Sequence, residues 1–149
     1  MSSLHLIAHW QEKLVMQDKI DRINTEILKD QIALEDLEID HQKKLKVLEE
    51  EYNLLEEDFY RIRTIFEQSA EAAHYDADYF NNPDGLATFY KALGDFSEAA
   101  ETKFFEDRNQ LTQKEEAILT DFSRKKGLLE EELNQKYYQR KRYFEEAES

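Results

Sequence analysis

The chain has no cysteine and almost none of the residues that turn a polypeptide. Its 149 residues include 3 glycines and 1 proline, whereas a compact domain of this size usually needs several turns. Without cysteine there is no disulfide framework and no thiol chemistry. No apolar run is long enough to span a bilayer. These absences favour long, solvent-washed helices over a globular α/β core.

Charge is abundant and one-sided. Charged residues make up 36% of the chain and the net charge is −14, so the surface repels phosphate backbones and anionic membranes. Two basic runs, Arg124–Lys126 and Arg140–Arg142, are too short to reverse this, and we expect them to complement a helix dipole. We therefore expect neither nucleic-acid binding nor membrane insertion.

The first residues lack the basic region of a cleaved signal peptide. We therefore expect a cytoplasmic protein, unless it leaves the cell by a route that needs no cleaved signal.

In the first half, apolar residues recur at alternating steps of three and four, the pattern of a helix that packs along one seam. After His41 a four-residue step replaces a three-residue step, which shifts the phase. Asp30 and His41 share the seam, and His41 is interpreted as a polar residue that fixes the register. The apolar seam consists of Met16, Ile20, Ile23, Ile27, Leu34, Leu37, Leu45, Leu48, Tyr52, Leu55, Phe59, Ile62 and Phe66.

The second half instead repeats every eleven residues, at about 3.67 residues per turn, which predicts a nearly straight helix. The repeat consists of Ala100, Leu111, Phe122, Leu133 and Phe144.

Between the halves, Asn82-Pro83-Asp84-Gly85 suits a type I turn, and Pro83 can open the next helix. We therefore predict an all-α fold, a long antiparallel two-helix hairpin that forms a coiled-coil-like rod. Helix one would span about 3–80 and helix two about 83–146. Facing residues would have numbers that add to about 165, so that Phe59 would lie near Glu106 and Asp107.

Residues 1–16 would form an overhang beyond the end of helix two, although LHLIAHWQEKLVM is among the most apolar stretches of the chain. Exposed apolar patches commonly mark binding surfaces, and Trp is enriched at interface hot spots. Alternatively, the segment folds back or pairs within a homodimer. Aromatic residues crowd the turn and the C-terminal end as well. The candidate partner-binding residues are Leu4, Ile7, Trp10, Leu14, Tyr79, Phe80, Phe89, Tyr90, Tyr138, Tyr143 and Phe144.

His5 and His9 lie one helical turn apart near Glu12 and are the best candidates for metal ligands. A structural site needs a fourth ligand, which the pattern does not offer. The sequence has neither an HExxH motif nor a glycine-rich phosphate loop, and a rod offers no concave pocket. We therefore expect a protein that is not an enzyme and binds neither metal nor cofactor.

The layout resembles that of the LXG-associated helical targeting factors of the type VIIb secretion system of Gram-positive bacteria, over about residues 15–147. The likeness lies in an acidic first helix that ends in LEEDFYRIRTIFEQS, an aromatic stretch around FYKALGDFSEAA, and the final segment KKGLLEEELNQKYYQRKRYFEE. The resemblance implies a cytosolic chaperone or adaptor. It would bind the helical N-terminal domain of an LXG-type toxin, beside a smaller WXG-like protein, and present the complex to the secretion ATPase.

The chain departs from the WXG pattern itself, since Gln11 and Glu12 follow Trp10 and leave no Trp-x-Gly turn. Phe144 and Glu148 match an aromatic-x-x-x-acidic export signal near the C-terminus. The competing hypothesis is structural, either a self-assembling coiled-coil rod or a stalk-like component of an export ATPase.

Overall fold

The computed structural model describes residues 3–80 and 83–149, with only the backbone for 77–80. Helix α1 spans Ser3–Phe80 and helix α2 spans Pro83–Glu148. The helices pack against each other, and Lys136 beside Asp30 and Lys126 beside Glu38 show that they run antiparallel. The described residues contain no strand. The predicted all-α helical hairpin is confirmed.

Helix α2 begins at the only proline of the chain. The fixed φ and missing N–H of proline suit the first position of a helix, and the carboxylate of Asp84 in the first turn complements the helix dipole. Asp84 and Gly85 therefore belong to α2, which begins at Pro83 as predicted. Asn82 lies outside the described residues.

Contacts divide the chain into two compact units. Unit 1 contains residues 1–43 and 119–149, and unit 2 contains residues 44–118. In α1 the boundary falls between His41 and Leu45, where the sequence predicts the shift in seam phase. Each unit contains one stretch of α1 and one of α2.

In unit 1 the predicted seam forms the core. Ile20, Ile23 and Ile27 are buried, with 7%, 3% and 3% of their surface exposed. Asp30 on the same seam accepts a hydrogen bond of 2.7 Å from Lys136 Nζ, and this ion pair is largely shielded from water. The unit therefore combines a short aliphatic core with one partly buried ion pair.

We expect Lys136→Met to lower the free energy of unfolding by about 1–3 kcal/mol, because Asp30 would keep its sheltered position without a partner. The hydrogen bond to Asp30 raises the pKa of Lys136 above its ordinary value. This shift stabilises the folded protein fully at pH values below about 10.4, the pKa of lysine in an unfolded chain. The stabilisation is lost as the pH rises through the raised pKa of Lys136. Urea unfolding at neutral and alkaline pH should show this loss in the wild type and not in Lys136→Met.

Lys103→Met is the matched control, since Lys103 forms an ion pair of 2.9 Å with Asp107 on the exposed surface. Exposed pairs contribute at most about 1 kcal/mol. An equal loss of stability in both variants would show that shielding of the Asp30 pair has no energetic role.

His41 occupies the seam with an unsatisfied polar atom. Its ring stacks on Phe122 at 3.8 Å between centroids and 5° between planes. Its Nδ1 is buried and has no hydrogen-bond partner. A buried unpaired polar atom costs stability and is tolerated where it restricts alternative alignments. The position supports the interpretation of His41 as a register residue.

We expect His41→Leu to raise the free energy of unfolding by about 1 kcal/mol, because it removes the unpaired Nδ1 and retains apolar volume. His9→Leu at an exposed position is the control and should change stability by less than about 0.5 kcal/mol. Urea denaturation followed by circular dichroism measures both. A destabilised His41→Leu variant would mean that stacking on Phe122 outweighs the unpaired nitrogen.

In unit 2 the seam is buried at Leu48, which is 3% exposed. Phe59 stacks on Phe104 at 4.2 Å, and Phe66 meets Phe96 edge to face at 5.1 Å. Ile62 was predicted on the seam, but it is 37% exposed and lies at its edge. Aromatic pairs therefore replace aliphatic packing toward the turn.

The register follows the predicted sum of about 165. The numbers of Glu51 and Lys114 add to 165, those of Asp30 and Lys136 to 166, and those of Phe59 and Phe104 to 163. Phe59 stacks on Phe104, two residues before its predicted neighbours Glu106 and Asp107 and within one helical turn of them.

Candidate functional site

The N-terminal segment of α1 has nothing opposite it in the described chain, because α2 ends at Glu148. Every residue from 3 to 15 is exposed. This segment contains four of the candidate binding residues, which we call the N-terminal face. Each of them is between 52% and 76% exposed. They are Leu4, Ile7, Trp10 and Leu14.

The segment carries apolar residues on two sides. Ile7, Trp10 and Leu14 follow steps of three and four residues and therefore share one side. Leu4, Ala8 and Val15 share the other. Because both sides are apolar, the segment can contact more than one partner helix.

Sequence reasoning omitted Leu6 from the candidates, although it is 63% exposed. It lies one helical turn before Trp10, on the same side, and this four-residue spacing is the signal that identifies it. Lys13 Nζ lies 5.8 Å from the centroid of the Trp10 ring, and 64% of Trp10 is exposed. The ring is thus accessible to a partner.

A surface concavity lies where α2 ends beside α1. It has a volume of about 860 Å³, and its lining includes Ala8, Val15, Ile20 and Ala147. Polar and charged side chains of α1, among them His9 and Glu12, also line it, together with Glu146 of α2. At this end of the hairpin, α1 therefore extends beyond the end of α2, and its N-terminal segment has no helix packed against it.

The C-terminal aromatic residues divide into an inner and an outer pair. Tyr137 is half-buried and its hydroxyl accepts a hydrogen bond of 2.7 Å from Gln31. Tyr143 is half-buried beside Lys19, whose Nζ lies 5.8 Å from the ring centroid. Tyr138 and Phe144 are 65% and 47% exposed. Tyr143, one of the predicted binding residues, thus belongs partly to the hairpin, whereas Tyr138 and Phe144 face solvent.

Phe144 was also predicted to continue the eleven-residue repeat. A straight α-helix turns about 100° per residue, so each eleven-residue step drifts about 20°. The four steps from Ala100 to Phe144 add up to a rotation of about 80° around α2. This rotation turns Phe144 away from α1 and brings Tyr143 toward α1. This drift explains why Tyr143 takes the inner position.

The aromatic residues near the turn lie in unit 2, separate from those of unit 1. Phe89 and Tyr90 are about 40% exposed and meet edge to face at 6.3 Å. The Tyr90 hydroxyl donates a hydrogen bond of 3.4 Å to the carbonyl oxygen of Ala70. The side chains of Tyr79 and Phe80 lie outside the described part of the structure. Phe89 and Tyr90 are therefore partly engaged within the hairpin.

The basic runs do not act as predicted. The last turn of α2 contains no basic residue, so neither run complements the C-terminal dipole. Arg124 and Lys125 instead both pair with Asp121 at 3.0 Å, and their hydrogen bonds hold the pKa of Asp121 below its ordinary value. Lys126 pairs with Glu38 at 3.5 Å. The first run is therefore neutralised locally.

Among the described residues, no group of three or more His, Asp or Glu side chains is arranged to hold a metal ion. His5 and His9 are both exposed on the N-terminal segment. Within the same residues, neither helix has a stretch apolar enough to cross a membrane. Phe144 and Glu148 lie one turn apart at the end of α2, and their role as an export signal stays a prediction.

Comparison with known proteins identifies no relative: no family model, curated protein or solved structure matches the chain.

Proposed function

We propose that the chain is a non-catalytic adaptor, a targeting chaperone that binds the helical N-terminal domain of an LXG-type toxin for type VIIb export. The observation that carries this proposal is the N-terminal face, where Trp10 and Leu14 are 64% and 63% exposed on a helix with nothing opposite it. An amphipathic helix of a partner can cover such a face through anchors one turn apart.

The resemblance in layout supplies the class of partner. Long helical toxin domains offer the apolar stripes that would complete a multi-helix bundle with α1, and a small WXG-like protein would join the same complex. Tyr138 and Phe144, exposed in the same unit, would extend the contact. We place the adaptor in the cytoplasm, with co-secretion through the Phe144 and Glu148 signal as part of the proposal.

Co-expression with LXG-domain proteins of the same genome tests the proposal. We expect a stable complex that elutes as one peak on size-exclusion chromatography and contains the helical N-terminal domain of one such toxin. The toxin's C-terminal domain alone is the control and should not co-purify. Failure of every LXG protein of that genome to form a complex would overturn the proposal.

Self-assembly into a coiled-coil rod or an export-ATPase stalk is the second candidate. The observation in its favour is again the bare apolar segment, since a second copy could cover Leu4, Ala8 and Val15. Light scattering separates the two candidates. A stable dimer or tetramer that an added LXG domain leaves unchanged would favour self-assembly.

A further inference from the structure

A second row of apolar residues runs along α1 within unit 2, outside the predicted seam. We call it the lateral row, and its members are 51%, 60% and 56% exposed. They are Val47, Leu54 and Ile65. Each comes one residue before a seam residue, respectively Leu48, Leu55 and Phe66. Because an α-helix turns about 100° per residue, the row lies roughly a quarter turn away from the face that packs on α2.

The lateral row is accompanied by unpaired negative charge. Glu50 and Glu57 lie between its members along the helix, are exposed, and take part in no ion pair among the described residues. Glu51 differs, since both of its carboxylate oxygens accept hydrogen bonds of 3.0 Å from Lys114. Free carboxylates beside exposed apolar side chains suit a partner with cationic groups next to an apolar stripe.

The charge of the whole unit points the same way. Residues 44–118 contain 18 acidic and 8 basic side chains, which gives a net charge of −10. A second copy of the chain would bring an equal negative charge to the row, and like-charge contacts weaken association. Anionic lipid and nucleic acid are disfavoured for the same reason. Charge complementarity thus selects a cationic protein segment.

We infer that the lateral row of unit 2 binds an amphipathic helix whose apolar stripe is flanked by Lys and Arg. From Val47 to Ile65 the row covers about 27 Å at 1.5 Å per residue, so the bound helix needs at least about five turns. This surface uses residues other than those of the N-terminal face. Its test needs no toxin, and its failure leaves the proposed adaptor function untouched.

The test uses a labelled 25-residue helical peptide with Leu at heptad positions a and d and Lys at e and g. A second peptide carries Glu in place of every Lys. Fluorescence anisotropy with the full-length protein should show binding of the Lys peptide at least tenfold tighter than that of the Glu peptide. Absence of binding by the Lys peptide, or equal affinity for both, would overturn the inference.

Two double variants locate the binding surface. Leu54→Gln with Ile65→Gln should weaken binding of the Lys peptide at least tenfold. Leu28→Gln with Ile39→Gln is the matched control, because these residues are 56% and 54% exposed on α1 in unit 1, and it should change affinity less than twofold. Equal weakening by both variants would overturn the assignment to the lateral row.

A third double variant, Glu50→Gln with Glu57→Gln, tests how much the two carboxylates contribute to binding of the Lys peptide. We expect about threefold weaker binding of the Lys peptide and a flatter dependence of affinity on salt. An unchanged affinity and salt dependence would contradict the role of these carboxylates. Sedimentation of the protein alone gives one more decisive outcome: a wild-type dimer that Leu54→Gln with Ile65→Gln converts to monomers would make a second copy the occupant and overturn the inference.

Discussion

Leu48→Ala is expected to lower the free energy of unfolding by about 2–4 kcal/mol, the range for a buried leucine replaced by alanine. Leu48 is 3% exposed, and α2 contributes no buried side chain among the described residues. Because so few side chains are enclosed, unit 2 has little other apolar burial to compensate for the lost atoms. Urea unfolding followed by circular dichroism at 222 nm, a standard helix signal, measures the loss.

Leu54→Ala is the matched control, since it makes the same chemical change in the same helix and the same unit. Leu54 is 60% exposed, so its truncation should change stability by less than about 0.5 kcal/mol. Similar losses in the two variants would mean that Leu48 is not enclosed between α1 and α2. The packing described for unit 2 would then be wrong.

Trp10→Ala is expected to weaken binding of the LXG domain by about 2 kcal/mol or more, which corresponds to roughly a thirtyfold rise in Kd. The indole would be a large apolar anchor at the N-terminal face, and its truncation removes contact area with the partner. Titration calorimetry of the purified proteins measures the change. Thermal stability of the protein alone should stay nearly constant, because Trp10 is 64% exposed.

Tyr60→Ala is the matched control for an exposed aromatic residue, since Tyr60 is 73% exposed in unit 2. It should leave the affinity for the LXG domain within about twofold of the wild type. If Trp10→Ala lowers the melting temperature by several degrees, Trp10 belongs to the protein's own core. If it leaves both affinity and stability unchanged, the N-terminal face has no role in binding.

Much of the hairpin follows from local chemistry. The 3-4 spacing identifies Ile23, Ile27 and Leu48 as core residues, and all three are buried. Pro83 marks the start of α2 because its ring and missing N–H are tolerated at that position. These features depend on single residues and on the helical period, which a sequence displays directly.

The facing pairs follow from the position of the turn. A fold point between residues 82 and 83 predicts Glu51 beside Lys114, as observed, and places Phe59 within two residues of its observed partner Phe104. An ideal eleven-residue repeat differs slightly from the period of a straight helix, and the difference accumulates until Tyr143 replaces Phe144. The sequence therefore predicts the register of the hairpin better than it predicts which side of α2 faces α1 near the C-terminal end.

The candidate site was predictable only in part. The exposure of Trp10 and Leu14 follows from comparing helix lengths, since α1 extends past Glu148. The lateral row was missed because Leu54 and Ile65 are adjacent in sequence to seam residues. When two adjacent residues are both apolar, the sequence does not show which of them faces α2. The division of aromatic residues between two units depends on tertiary contacts that no local pattern contains.

Hydrogen exchange of the protein, alone and in complex with an LXG domain, tests the proposed function most directly. The amides of residues 4–14 lie in a helical segment with nothing packed on it, so they should exchange quickly in the free protein. We predict that these amides exchange at least tenfold more slowly in the complex. Unchanged exchange in residues 4–14 of a complex that forms stably would contradict the account.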